Sequence, residues 1–192
     1  MLLVQALLRV SRVIDVVTGF LGKLLSIIVT LLVLLGVFNV ITRYAGPLVG
    51  RNLYTQAAAE AQNHLFSLTF FLGFAYLLQR NGNVRVDFLY GKWNAKRQAL
   101  VNLVGHLLFL IPFCILALYV GLPVALRTFR TGETTGNAGG LQLYPLWFIF
   151  LAGLSLLLIQ ALSEIIKHAA VLAGAGTDAP QAVETYVAEP IE

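Results

Sequence analysis

The stretch Leu72–Asp87, LGFAYLLQRNGNVRVD, decides how this chain folds. An apolar run ends at Arg80, turns at Asn81-Gly82-Asn83, and leaves as the alternating Val84-Arg85-Val86-Asp87. Basic residues just past an apolar run mark a cytoplasmic membrane edge, so this stretch both defines a span and orients it.

Composition agrees. Hydrophobic residues make up 58% of the 192 and charged residues only 11%, with a mean hydropathy of +0.82. Soluble domains carry about 25% charged residues, so the chain is an integral membrane protein. A pI near 9.4 does not point to nucleic acid, because the basic residues gather at span ends rather than on one soluble face. The one cysteine, Cys114, sits inside an apolar run and has no intrachain disulfide partner.

Working outward, four apolar blocks reach the ~20 residues that a helix needs to cross a bilayer. They are residues 24–42, 57–79, 100–126 and 143–166, within a membrane domain of residues 1–168. Pro112 predicts a kink in the third. With the N-terminus inside, Arg9, Arg12, Lys23, Arg80, Arg85, Lys92, Lys96, Arg97 and Lys167 are cytoplasmic, and Arg43, Arg51, Arg127 and Arg130 are outside. Nine against four, from 13 basic residues in all, predicts an all-α protein with four spans, N-in and C-in. The first apolar block starts too late and runs too long for a cleaved signal peptide.

Residues 2–23 place Gln5, Arg9, Arg12, Gly19 and Lys23 near one face and Leu7, Val10, Ile14 and Val17 opposite. This predicts an amphipathic helix in the inner interface, the alternative being an extension of the first span. Phe88, Tyr90, Trp93, Lys92, Lys96 and Arg97 predict an interfacial cytoplasmic loop. The glycine-rich stretch 127–142, RTFRTGETTGNAGGLQ, reads as an outer loop. The acidic stretch 169–192 reads as a disordered cytoplasmic tail.

No catalytic or nucleotide-binding motif is present. Polar residues recur at helical spacing instead: Glu60, Asn63, His64 and Ser67; Asn39 and Arg43; Asn102 and His106; Gln160, Glu164, Lys167 and His168. Such stripes face other helices or a cavity rather than lipid. By depth along their spans, His64, His106 and His168 are not expected to form a level pair of the kind that ligates haem.

The chain resembles the small membrane (Q) subunit of tripartite ATP-independent periplasmic (TRAP) transporters. The likeness rests on Arg43-Tyr44, Glu60, Phe71-Leu72-Gly73-Phe74-Ala75-Tyr76, Val84-Arg85-Val86-Asp87, Glu133-Thr134, Gly139-Gly140-Leu141, Tyr144-Pro145 and LIQALSEIIK at Leu158–Lys167. The pattern is similar to the longer branch of that family, associated with 2-oxo acids and related organic acids.

The resemblance implies a non-enzymatic scaffold in the bacterial inner membrane. Its partners would be a large membrane subunit, which carries the sodium and substrate sites, and a periplasmic binding protein. No cofactor of its own is implied. Candidate interface residues are then Arg43, Glu60, Asn63, His64, Arg127, Arg130, Glu133, Gln160, Glu164 and Lys167, with Arg43 and Glu60 placed to pair. Arg9, Arg12, Arg80, Arg85, Lys92, Trp93, Lys96 and Arg97 would anchor the inner interface. The alternative is an anchor subunit of a redox complex.

Overall fold

The computed structural model describes residues 2–51, 53–82, 93–137 and 140–174. All regular structure among them is helical, apart from one antiparallel bridge between Thr134 and Gln142. Helix α1 spans Leu2–Leu48 and α2 spans Gln56–Gln79. A third helical run comprises α3 (Ala95–Gly105), a π-helical turn (His106–Leu110) and α4 (Ile111–Thr131). Helix α5 spans Tyr144–Leu172. Three of these are long and apolar enough to cross a membrane: Val4–Leu48, Ala95–Thr131 and Tyr144–Leu172. Helix α2 is not one of them, since its first turns carry Gln56, Glu60, Gln62, Asn63 and His64.

Helix α1 corrects the expectation of an interfacial helix that turns into the first span. It is one unbroken helix of 47 residues, roughly 70 Å long at 1.5 Å per residue, with no turn near residue 23. Buried Ser11, Thr18, Leu25, Asn39 and Gly46 are spaced by seven or fourteen residues, which places them on one helical face. Ser11, Asp15 and Thr18 in this part take partners on α5.

The third run begins with Asn94, whose side chain accepts a hydrogen bond from the Arg97 backbone amide at 2.9 Å and so caps α3. The expected break at Pro112 takes the form of the π-helical turn just before it, where the Ile111 amide bonds to the His106 carbonyl. Proline has no N–H and its ring crowds the carbonyl four residues back, so a widened turn relieves the clash. The interfacial segment 88–98 is described only from Trp93, and its last residues form the first turn of α3. Helix α5 runs into the stretch read as a tail, and residues 175–192 lie outside the described residues.

The chain divides into two compact units, here taken over their described residues. The first draws on Met1–Phe20, Ala75–Leu116 and Leu156–Glu192. Its apolar core is small-residue packing around Ala75, Leu78, Ala99, Cys114, Leu157 and Ala161, the composition that lets helices approach closely. The second draws on Leu21–Phe74 and Ala117–Ser155. It holds an aromatic cluster in which Phe71 meets Phe150 edge-on at 5.1 Å and Phe70 meets Phe74 at 4.6 Å.

Within that second unit α5 comes so close to α2 that a Cβ on Gly153 would lie 2.6 Å from the Phe71 backbone. Gly153→Ala is therefore expected to cost about 1–3 kcal/mol through overpacking, read as a lower midpoint in detergent-induced unfolding. Gly73→Ala, where nothing lies within 4 Å of the new Cβ, is expected to leave the midpoint unchanged.

Candidate functional site: two buried polar clusters

In the first unit, α1 and α5 are joined through side chains spaced by helical turns on both partners. Ser11 and Ser163 share a hydrogen bond of 2.7 Å. Thr18 donates to Gln160 Oε1 at 2.9 Å, and Gln160 Nε2 donates to Asp15 at 2.8 Å and Glu164 at 3.0 Å. Lys167 Nζ lies between the two carboxylates, 3.1 Å from Asp15 Oδ2 and in contact with Glu164 Oε1. Helix α2 adds Gln79, whose Nε2 donates to the Asp15 backbone carbonyl at 2.6 Å.

This network is inside the protein. Gln160 and Ser163 are fully buried, and the Lys167 and Glu164 side chains are 11% and 6% exposed. Burying ionic groups is tolerable only when each charge is paired and its remaining hydrogen-bonding capacity filled. Here one ammonium serves two carboxylates while Gln160 and Ser163 supply further donors to them. The arrangement is a lock between helices rather than an open path.

Gln160, Glu164 and Lys167 were legible as a stripe on α5. Their partner Asp15 was not singled out, although Ser11, Asp15 and Thr18 follow the i, i+4, i+7 spacing of one helical face. His106 and His168 correct a further expectation. Their rings stack at 5.6 Å with 24° between planes, because the π-helical turn and the end of α5 bring them level. A haem iron ligated by two histidines stands between the two rings; rings stacked on each other do not hold one.

The second cluster fixes the polar loop to the start of α2. Glu60, 4% exposed, accepts hydrogen bonds from Thr135 Oγ1 at 2.6 Å, Asn137 Nδ2 at 3.1 Å, Gln56 Nε2 at 3.3 Å and the Leu141 amide. His64 spans the same contact, with Nδ1 at 2.8 Å from the Glu60 carbonyl and Nε2 at 3.3 Å from the Gln142 carbonyl. Nearby, Asn39 donates to Gln62 Oε1 at 2.7 Å and to the Ala58 carbonyl at 3.3 Å, tying α1 to α2. Gln62 carried no signal of its own in the sequence reading.

The expected Arg43–Glu60 pair is not formed. Glu60 is occupied by the loop, and the Arg43 guanidinium lies over the Tyr54 ring at 5.4 Å. Asn63 does not share the buried face of Glu60; it is exposed, as are Arg127, Arg130 and Glu133. Of the expected anchors, Arg9, Arg12, Lys96 and Arg97 are exposed, and Arg80 lies over Tyr76 at 5.5 Å. Trp93 is half-buried, while Arg85 and Lys92 fall outside the described residues.

The sequence that forms these helices matches a known family description. The model for tripartite ATP-independent periplasmic transporters, DctQ component, matches residues 32–171. The chain belongs to the DctQ family. Comparison with curated proteins and with solved structures finds no match. With three membrane-length apolar helices, this DctQ-family chain is a multi-pass membrane component of a transporter. The matched residues include Glu60 and the Gln160–Lys167 stripe, while Ser11, Asp15 and Thr18 precede them.

Glu60→Gln keeps an acceptor for the three side-chain donors on Oε1 only by turning its N–H₂ toward the Leu141 amide, which donates to Oε2 in the wild type. It is expected to cost about 1–3 kcal/mol and to speed hydrogen exchange at the Leu141 amide. The charge swap Glu60→Arg/Arg43→Glu is expected to give no rescue; restored protection in the swap would mean that the two side chains pair after all.

Proposed function

We propose that this DctQ-family chain is the small permease subunit of a sodium-driven, binding-protein-dependent transporter for organic acids in the bacterial inner membrane. It crosses four times, N-in and C-in, with α2 as the fourth span. It holds the static part of a large membrane subunit, and its outer surface helps seat the periplasmic binding protein. The sodium and substrate sites lie in the large subunit.

One observation carries the scaffold reading. Helix α1 exposes large apolar side chains along nearly its whole length, from Leu7 and Val10 to Leu48 and Val49. That stripe covers about 60 Å at 1.5 Å per residue, roughly twice the hydrocarbon thickness of a bilayer. Lipid can cover only part of it, so another polypeptide is needed for the rest. The ionisable groups support the same reading. Asp15 and Glu164 share Lys167, and Glu60 is held by its loop, so these acids are engaged by contacts within the chain.

On this reading, vesicles containing this chain alone take up no organic acid under a sodium gradient, and mild detergent extraction recovers it with a much larger membrane subunit. Uptake by the chain alone would refute the scaffold role. A cysteine placed at Gly136 is expected to react with an impermeant thiol reagent in intact cells, and one at Lys96 to stay shielded. The reverse pattern would invert the topology.

A further inference from the structure

Helix α1 ends in a turn that its sequence could not form without two glycines. Gly50 has φ +66°, the Arg51 amide bonds back to the Gly46 carbonyl at 3.1 Å, and the Gly50 amide bonds to the Pro47 carbonyl at 3.3 Å. This is a Schellman cap with its left-handed residue at Gly50. Gly46 is required as well, because a Cβ there would lie 2.7 Å from the Arg51 carbonyl oxygen. The turn folds Arg51 back against the last turns of α1, where Arg43 already stands.

The result is an open cleft of about 490 Å3 lined by Arg43, Pro47, Gly50, Arg51 and Tyr54. Two cations line it and no acid does. Among the described residues, the ion pairs are those of Lys167 with Asp15 and Glu164, and the nearby Glu60 is filled by its loop contacts. Gathering like charges in one concavity opposes folding and concentrates a positive potential there. Tyr54 holds the Arg43 guanidinium by its face; a guanidinium stacked this way can still donate from its edge to a phosphate or carboxylate.

The surroundings select between anions. Tyr44, Leu48 and Val49 beside the cleft are 72%, 88% and 65% exposed, at the end of a long apolar helix. A free anion gains nothing from such side chains, whereas a lipid brings acyl chains to cover them. We propose that this cleft binds the phosphate of an anionic phospholipid headgroup, with Arg43 and Arg51 on the phosphate and Leu48 and Val49 against the lipid's apolar part. The assignment does not depend on which side of the membrane the cleft faces.

The test uses the full chain reconstituted in nanodiscs of equimolar phosphatidylcholine and phosphatidylglycerol, then extracted and assayed for bound lipid by mass spectrometry. Wild type is expected to retain phosphatidylglycerol preferentially. Arg43→Gln/Arg51→Gln is expected to lower that retention about thirty-fold, as for two arginines at a lipid surface, with Arg43→Lys/Arg51→Lys recovering part of it. Arg127→Gln/Arg130→Gln, also exposed, serves as the control and is expected to retain lipid like wild type. Leu48→Ser/Val49→Ser should weaken retention, and excess inorganic phosphate should not displace the lipid. Equal retention in wild type and the double glutamine variant would overturn the proposal. Complete displacement by inorganic phosphate would overturn the lipid assignment in favour of the free anion.

Discussion

Lys167, held between Asp15 and Glu164, is the contact on which the first unit depends. An ammonium away from water is costly, and so is each carboxylate; together, with Gln160 and Ser163 filling the remaining positions, they become tolerable. The consequence is geometric. Asp15 can reach Lys167 only if the first turns of α1 lie against the last turns of α5, with Ser11 meeting Ser163 and Thr18 meeting Gln160. Apolar packing between helices tolerates sliding, particularly where lipid competes for the same surfaces. A set of paired polar groups accepts one register.

That constraint explains why the N-terminal part of α1 continues as one helix packed on α5. It also shows what was legible in the sequence. The apolar blocks fixed the helices because length and hydropathy report directly on the cost of exposing a backbone in lipid. The stripe on α5 was visible because its polar residues interrupt an otherwise apolar run. Asp15 was harder to see: the residues around it mix arginine, valine and threonine, and that composition fits an interfacial helix as well as a packed one. Its significance comes from residues some 150 positions away, which periodicity within one helix cannot supply.

The same distinction separates Arg43 from Glu60. Both flank the connection between the first two helices, and opposite charges at such spacing suggest a pair. The structure gives Glu60 to the loop between α4 and α5 and Arg43 to Tyr54, because a buried carboxylate is satisfied better by several fixed donors than by one mobile cation. The α1–α2 and α4–α5 connections therefore have separate organising polar groups. Exposed apolar surface runs along α1 and along Leu100–Phe129, with a small basic cleft at the end of α1.

The central claim is that the buried Asp15–Lys167 contact fixes the pairing of α1 with α5, and a double-mutant cycle on the purified chain tests it most directly. Asp15→Asn and Lys167→Met are made singly and together, and unfolding is followed in detergent. The account predicts that Lys167→Met alone costs about 3–5 kcal/mol, and that the double variant is more stable than the sum of the single losses implies, with a coupling of about 1–3 kcal/mol. Small, strictly additive losses would contradict it.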